Sequence, residues 1–145
     1  MAEQMSIQGI RPTSSDMKVK QWQTLGFGLF IHFGVYSAFG GEYKGKPVKP
    51  GYSEQIKMWA DIPDEAYLNQ AQAMTLEHFD PQEIVQLAKQ AGMRYIVLTS
   101  KHHDGFCLWK TETTSYNSVD SMGGQRDIVG ELAEECARQG MKFGL

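Results

Sequence analysis

The sequence predicts an α/β fold: the N-terminal portion, about three β/α units, of a (β/α)8 TIM-like barrel that is incomplete in this chain. Three observations predict it. Strand-like apolar runs alternate with helix-period segments in the order β-loop-α-β-loop-α-β. The junctions entering the second and third strands repeat one pattern, "AGMRY" and "QGMKF". Helix-to-strand turns are short and strand-to-helix loops long, the rhythm of a repeating β/α architecture. A whole barrel takes roughly 250 residues, and this chain has 145. It stops inside an apolar segment, "GMKFGL", so it is expected to be the front of a longer protein. The competing arrangement is a doubly wound nucleotide-binding sheet. Against it, no G-x-G-x-x-G occurs, and "GVYSAFGG" leads into a long loop rather than a helix.

Residues 1–20 read as a leader or loop, and the barrel portion fills 21–145. "KQWQTLGFGLFIHFGVYS" supplies the first strand. Strand parity puts Gly28, Phe30 and His32 on one face and Phe27, Leu29 and Ile31 on the other. Both sets are largely apolar, as expected for a parallel strand covered on both sides. The Gly/Pro/Lys-rich loop "FGGEYKGKPVKPGYS" follows, with short helices expected over 54–59 and 64–72. Asp80 then caps a helix that has Pro81 at its first position and an apolar face of Ile84, Leu87, Ala88 and Ala91. Gly92 ends it and the strand 95–99 begins. After a second long loop, Asp127 caps a helix with Ile128, Leu132, Ala133 and Cys136 inward, and Gly140 stops it before the third strand.

The net charge of -3 and the absence of a basic run give no footprint for nucleic acid or an anionic membrane. No apolar stretch is long enough to span a bilayer, and the N-terminus has no signal-peptide core. Two cysteines, Cys107 and Cys136, are too few for a disulfide framework, and Cys136 reads as a small buried hydrophobe.

Chemistry gathers in "YIVLTSKHHDGFCLW". An apolar strand breaks into Lys101, His102, His103 and Asp104, while His32 closes the first strand. Barrels place their sites at these C-terminal strand ends, and adjacent strands lie roughly 5 Å apart. Alone, His32 would be a hydrogen-bonded core histidine and "HHD" a strand-ending turn. Converging, they point to ligand contact. A metal site is disfavoured because there is no H-x-H. Adjacent His102 and His103 would face opposite sides if they continued the strand. No metal and no cofactor is expected. Cys107 carries no mark of an activated nucleophile.

These residues carry a resemblance. "FGLFIHFGVYS", "YSEQ", "YIVLTSKHHDGFCLW", "QRDIVGEL" and "GMKFGL" are similar to the N-terminal part of the catalytic domain of the α-L-fucosidases, family 29 of the glycoside hydrolases. It covers about Trp22 to Leu145. The resemblance implies that His32, His102 and His103 hydrogen-bond fucose hydroxyls. Phe30 and Tyr52 would line a pocket for the C5 methyl group. Glu54 would contact the sugar or act as acid/base, and the nucleophilic aspartate would lie beyond Leu145. It implies a retaining exo-glycosidase acting on terminal α-linked L-fucose of a fucosylated glycan or glycoconjugate. A periplasmic, secreted or lysosomal setting follows from the family. The piece alone is expected to be inactive and prone to self-association. Asp104 and Asp127 match neither catalytic carboxylate and read as caps. Two departures stand out: Gln55 and Phe33 each replace a family tryptophan. A non-catalytic carbohydrate-binding fragment and a metal-dependent hydrolase are the alternatives.

Overall fold

A computed structural model describes residues 14–49 and 51–145. Three strands, Gly28–Ile31 (β1), Tyr95–Leu98 (β4) and Lys142–Gly144 (β5), form a parallel sheet in the order β1-β4-β5. Its register sets Gly28 beside Tyr95 and Phe30 beside Val97, and Val97 in turn beside Gly144. A two-residue hairpin, Glu42–Tyr43 (β2) with Lys46–Pro47 (β3), stands apart from this sheet. Its turn residues Lys44 (φ 50) and Gly45 (φ 71) both have positive φ, the geometry of a type I′ turn. Two-residue strands leave no alternation to detect, so the sequence shows only a loop here.

Two helices cover one side of the sheet. Asp80 Oδ1 accepts from the Gln82 and Glu83 amides (2.8 and 3.1 Å) to start Pro81–Gln90 (α4). Asp127 Oδ1 accepts from the Gly130 amide (2.8 Å) to start Ile128–Gln139 (α5). The two repeated junctions close identically. Gly92 (φ 80) and Gly140 (φ 70) are left-handed. The next amides, Met93 and Met141, then donate back to Ala88 O (2.9 Å) and Cys136 O (2.8 Å).

Ile96 and Leu98 of β4 meet Val85 and Ala88 of α4 and Ile128, Leu132 and Cys136 of α5, all buried. Burying one such aliphatic side chain is worth roughly 1.5–3 kcal/mol, so this interface anchors the sheet. The buried stripe of α4 differs from the expected one. Val85 is inside, whereas Leu87 is 65% exposed and Ala91 is exposed. The helix lies against α5 as well as β4, which rotates its inner face by about one residue.

The other side of the sheet is not covered as the sequence suggested. Phe30 is 61% exposed there, and Trp22 packs on that side with its ring 6.0 Å from that of Tyr95. Trp22 belongs to a helix, Ser14–Gln23 (α1). The leader reading of 1–20 is therefore corrected from Ser14 onward, and residues 1–13 lie outside the described residues. The first strand also begins later than expected, at Gly28 rather than near Lys20. Asp16 in the first turn and Lys20 in the last suit a helix, but the polar composition hid its period.

The long connections build a second half of the core. A 3₁₀ turn, Val35–Phe39, is followed by a short helix, Ile56–Trp59 (α2), and by Asp64–Ala73 (α3). Tyr36, Ile56, Tyr67, Phe106, Leu108 and Met122 are buried together. The loop 99–127 is knitted rather than loose. Buried Asn117 accepts from the Val119 and Asp120 amides (3.0 and 2.9 Å) and donates to Thr114 O (2.9 Å) and Asp120 Oδ2 (2.7 Å). Among the described residues no helix is long and apolar enough to cross a membrane.

Candidate active site

The parallel pairing of β1 and β4 brings distant histidines to one edge. The Thr99 amide donates to Ile31 O (3.1 Å), and the Phe33 amide reaches Thr99 Oγ1 (3.4 Å), locking the two strand ends side by side. His32 follows one strand and His102 the other. Their ring centroids are 5.5 Å apart, with Phe30 4.5 Å from His32 and His103 4.7 Å from His102. Tyr36 meets His102 edge-on at 5.6 Å.

The expectation that His102 and His103 face opposite sides does not apply, because the strand ends at Leu98 and the chain turns. The Gly105 amide donates to His102 O (3.0 Å) and Gly105 is left-handed (φ 75). Asp104 caps this turn, accepting the Phe106 amide on Oδ1 (3.0 Å), while Oδ2 accepts the Tyr67 hydroxyl (2.7 Å). Asp127 is the cap of α5. Both carboxylates thus do structural work, as read.

Protonation follows from these contacts. Burial, then the neighbouring His103, hold the His102 imidazole below its ordinary pKa, against an opposing pull from Glu54. His102 Nδ1 accepts the His103 amide (2.9 Å). Neutral His102 therefore carries its proton on Nε2, which is left as a donor. Burial raises the Tyr36 phenol, with Thr99 opposing and the Asp104 and Glu54 charges adding to the rise. The Tyr36 hydroxyl is buried without a partner in hydrogen-bonding geometry. Burial and then the bond to Asp104 push Tyr67 far above the ordinary tyrosine range, so it stays a donor.

A polar cleft of about 260 Å³ lies beside the imidazoles, lined by Glu54, Gln55, Lys57, His103 and Asp104 among others. Glu54 thereby shares this cleft with His103. Tyr52 is 73% exposed and makes no ring contact with them among the described residues. Lys57 closes the cleft floor: Nζ pairs with Asp64 (3.0 Å), donates to Tyr116 Oη (3.3 Å) and sits over the Tyr67 ring (5.1 Å). Burial would lower its pKa, but those hydrogen bonds win and raise it. A larger cavity, about 510 Å³, is apolar and lies on the helix side against Ile31, Leu98, Ile128 and Leu132. Glu77 and His78 also line it, but the imidazoles converge at the other edge, which is the candidate site.

Cys107 and Cys136 are free and buried, and burial, then Glu135, push the Cys136 thiol up to about 11. Among the described residues no group of three His, Cys, Asp or Glu side chains is placed to hold a metal ion. Sequence reasoning missed Tyr36, Tyr67 and Lys57. Tyr36 had a signal, lying in "FIHFGVYS" four residues after His32. The others gather through α2 and α3 packing and had none.

Comparison with known proteins supplies the family. A family model described as Alpha-L-fucosidase matches residues 3–145. The putative α-L-fucosidase of Caenorhabditis elegans is 38% identical over 128 residues, covering 82% of this chain and 26% of that protein. The tissue α-L-fucosidase of Homo sapiens is 34% identical over 129 residues, covering 82% and 27%. The chain thus spans about a quarter of the length of these relatives. Among solved structures, α-L-fucosidase AlfC from Lactobacillus casei in complex with α-L-fucose superposes with a TM-score of 0.83 at 44% identity, over 88% of this chain and 39% of that one. A family 29 α-L-fucosidase from Bacteroides thetaiotaomicron gives 0.82 at 32% identity, over 93% and 30%. With a parallel β/α frame and imidazoles gathered at its strand ends, this chain belongs to the α-L-fucosidase family, family 29 of the glycoside hydrolases.

Proposed function

We propose that the protein carrying this chain is a retaining exo-glycosidase that removes terminal α-linked L-fucose from glycans or glycoconjugates. The single observation that carries the reading is the meeting of His32, His102 and His103 beside Phe30, at the ends of paired parallel strands. Imidazole nitrogens donate and accept hydrogen bonds, which suits a ring of sugar hydroxyls, and His102 presents its Nε2 as a donor. Phe30 gives the apolar counterpart for the C5 methyl, and Tyr52 takes part in that wall. Glu54, at the head of the adjoining cleft, contacts the sugar or serves as acid/base. AlfC has been captured with α-L-fucose and, as a variant, with Fuca(1,6)GlcNAc, which supports the substrate class.

In this reading β1, β4 and β5 are three of eight barrel strands, and the exposed Phe30 side faces the lumen. Retaining hydrolysis needs two carboxyl groups roughly 5–5.5 Å apart. Asp104 and Asp127 are committed to a turn and a cap, and the resemblance to the family implies a nucleophilic aspartate on a later strand, beyond Leu145. The chain by itself is then inactive, and its open sheet edges favour self-association.

The test is hydrolysis of 4-nitrophenyl α-L-fucopyranoside by the intact protein, with the 145-residue chain alongside. Turnover by the intact protein, none by the chain, and a loss of about 100-fold or more in His102→Ala support the reading. An intact protein inert on α-L-fucosides sinks it. Binding of L-fucose without turnover would instead favour a carbohydrate-binding module.

A further inference from the structure

Resting on that reading and extending it, the geometry points to Trp59 as the aromatic platform for the group on the leaving side of the fucosyl bond, with Gln55 as the residue that positions it. Gln55 is the N-cap residue of α2. One helical turn later, at the i+4 position that shares its face, the chain has Trp59. The indole Nε1 donates to Gln55 Oε1 (2.9 Å). An indole nitrogen is donor only, so Gln55 must turn its oxygen to Trp59 and its amino group to the other side. There it meets His103 Nε2 at 3.4 Å. One amide group therefore ties the indole to a sugar-binding imidazole and fixes His103 Nε2 as the acceptor.

The indole is held from a second direction. Gly51 (φ +123) approaches so closely that a Cβ there would lie 2.4 Å from Trp59 Cδ1 and 2.5 Å from Nε1. No side chain fits between them. Even so, Trp59 remains 48% exposed, with Met58 66% exposed beside it. A large aromatic that is pinned at its edge and open to solvent next to a polar cleft is built for contact. Since its N–H is already used, its ligand meets the ring through the π-face. That selects a flat apolar surface: the C–H face of a pyranose or an aromatic aglycone.

The experiment compares the intact protein on two substrates. α-L-Fucosyl fluoride has a single atom on the leaving side, and Fuca(1,6)GlcNAc has a whole pyranose. The readout is the ratio of kcat/KM for the disaccharide to that for the fluoride. Trp59→Leu, which keeps apolar bulk without a ring, lowers the ratio about ten-fold. Trp59→Phe keeps most of it, and Gln55→Leu falls between the two. A ratio in Trp59→Leu within two-fold of wild type, or an equal loss in the Leu and Phe variants, overturns the platform. If the wild type hydrolyses neither substrate, the fucosidase reading itself falls and the platform falls with it.

Discussion

The Tyr67 hydroxyl donates to Asp104 Oδ2 across 2.7 Å, joining α3 to the turn that carries His102 and His103. Tyr67 is fully buried and stacks on Phe39 (ring centroids 5.4 Å, 16° between planes), so its oxygen cannot swing away. Tyr67→Phe keeps the stack and removes the bond. Hydrogen bonds to charged groups are worth roughly 1.5–3 kcal/mol, and Asp104 can take a water in exchange. A loss of about 1.5 kcal/mol in urea unfolding is expected. Fucose affinity should fall with it. Unchanged stability would mean that the turn is held by the Phe106 amide alone.

His102 gives a pH signature. Its folded pKa lies below the ordinary 6.5. The unfolded chain therefore takes up the proton first as pH falls. The contribution of His102 to stability is present above 6.5 and is lost as pH falls from there through the lower folded value. His102→Asn should flatten that part of a stability-versus-pH curve. A wild-type curve that shows no such fall, or an identical one in the variant, contradicts the protonation state assigned here.

Arg126 fastens the start of α5 to the segment before α4. Its guanidinium donates to Leu76 O (3.2 Å) and Phe79 O (2.7 Å), grips Glu131 with Nε and Nη2, and lies over the Phe79 ring at 4.7 Å. Arg126→Met strands two carbonyls and a carboxylate. The expected loss is about 2 kcal/mol. Arg126→Lys should recover only part of it, because an ammonium cannot reach all of these acceptors. Full recovery by lysine in a thermal melt would reduce the role to simple charge.

Gly28 is required by a neighbour rather than by its own backbone. A Cβ there would sit 2.3 Å from the ring of Tyr95, its partner in the register. Gly28→Ala should cost about 1–3 kcal/mol. In a Tyr95→Val background the same change should cost clearly less, and this coupling is what a double-mutant cycle reads. Additive effects would place the ring elsewhere.

Much of this was legible in the sequence. Helices α4 and α5, their aspartate caps and their glycine stops were visible because local chemistry determines them. The histidine edge was visible because strand ends are where a β/α frame displays its side chains. Helix α1 was missed because Lys18, Lys20 and Gln21 blur any apolar stripe. The β2–β3 turn was missed because Lys-Gly is a weaker turn signal than Asn-Gly. Tyr67 with Asp104, 37 residues apart, and Arg126 with Phe79, 47 apart, are joined by tertiary packing that no spacing rule encodes.

The Phe33–Thr99 bond that holds the histidine edge together spans 66 residues of sequence. Closing so long a loop before its contacts are rewarded is slow, so recognition arrives with the last events of folding, not the first. A slip of one residue along β1 would also present Ile31 where His32 belongs. Such a molecule would be compact yet lack the gathered imidazoles, and ligand capture would tell the two apart under the proposed function where a melting curve does not.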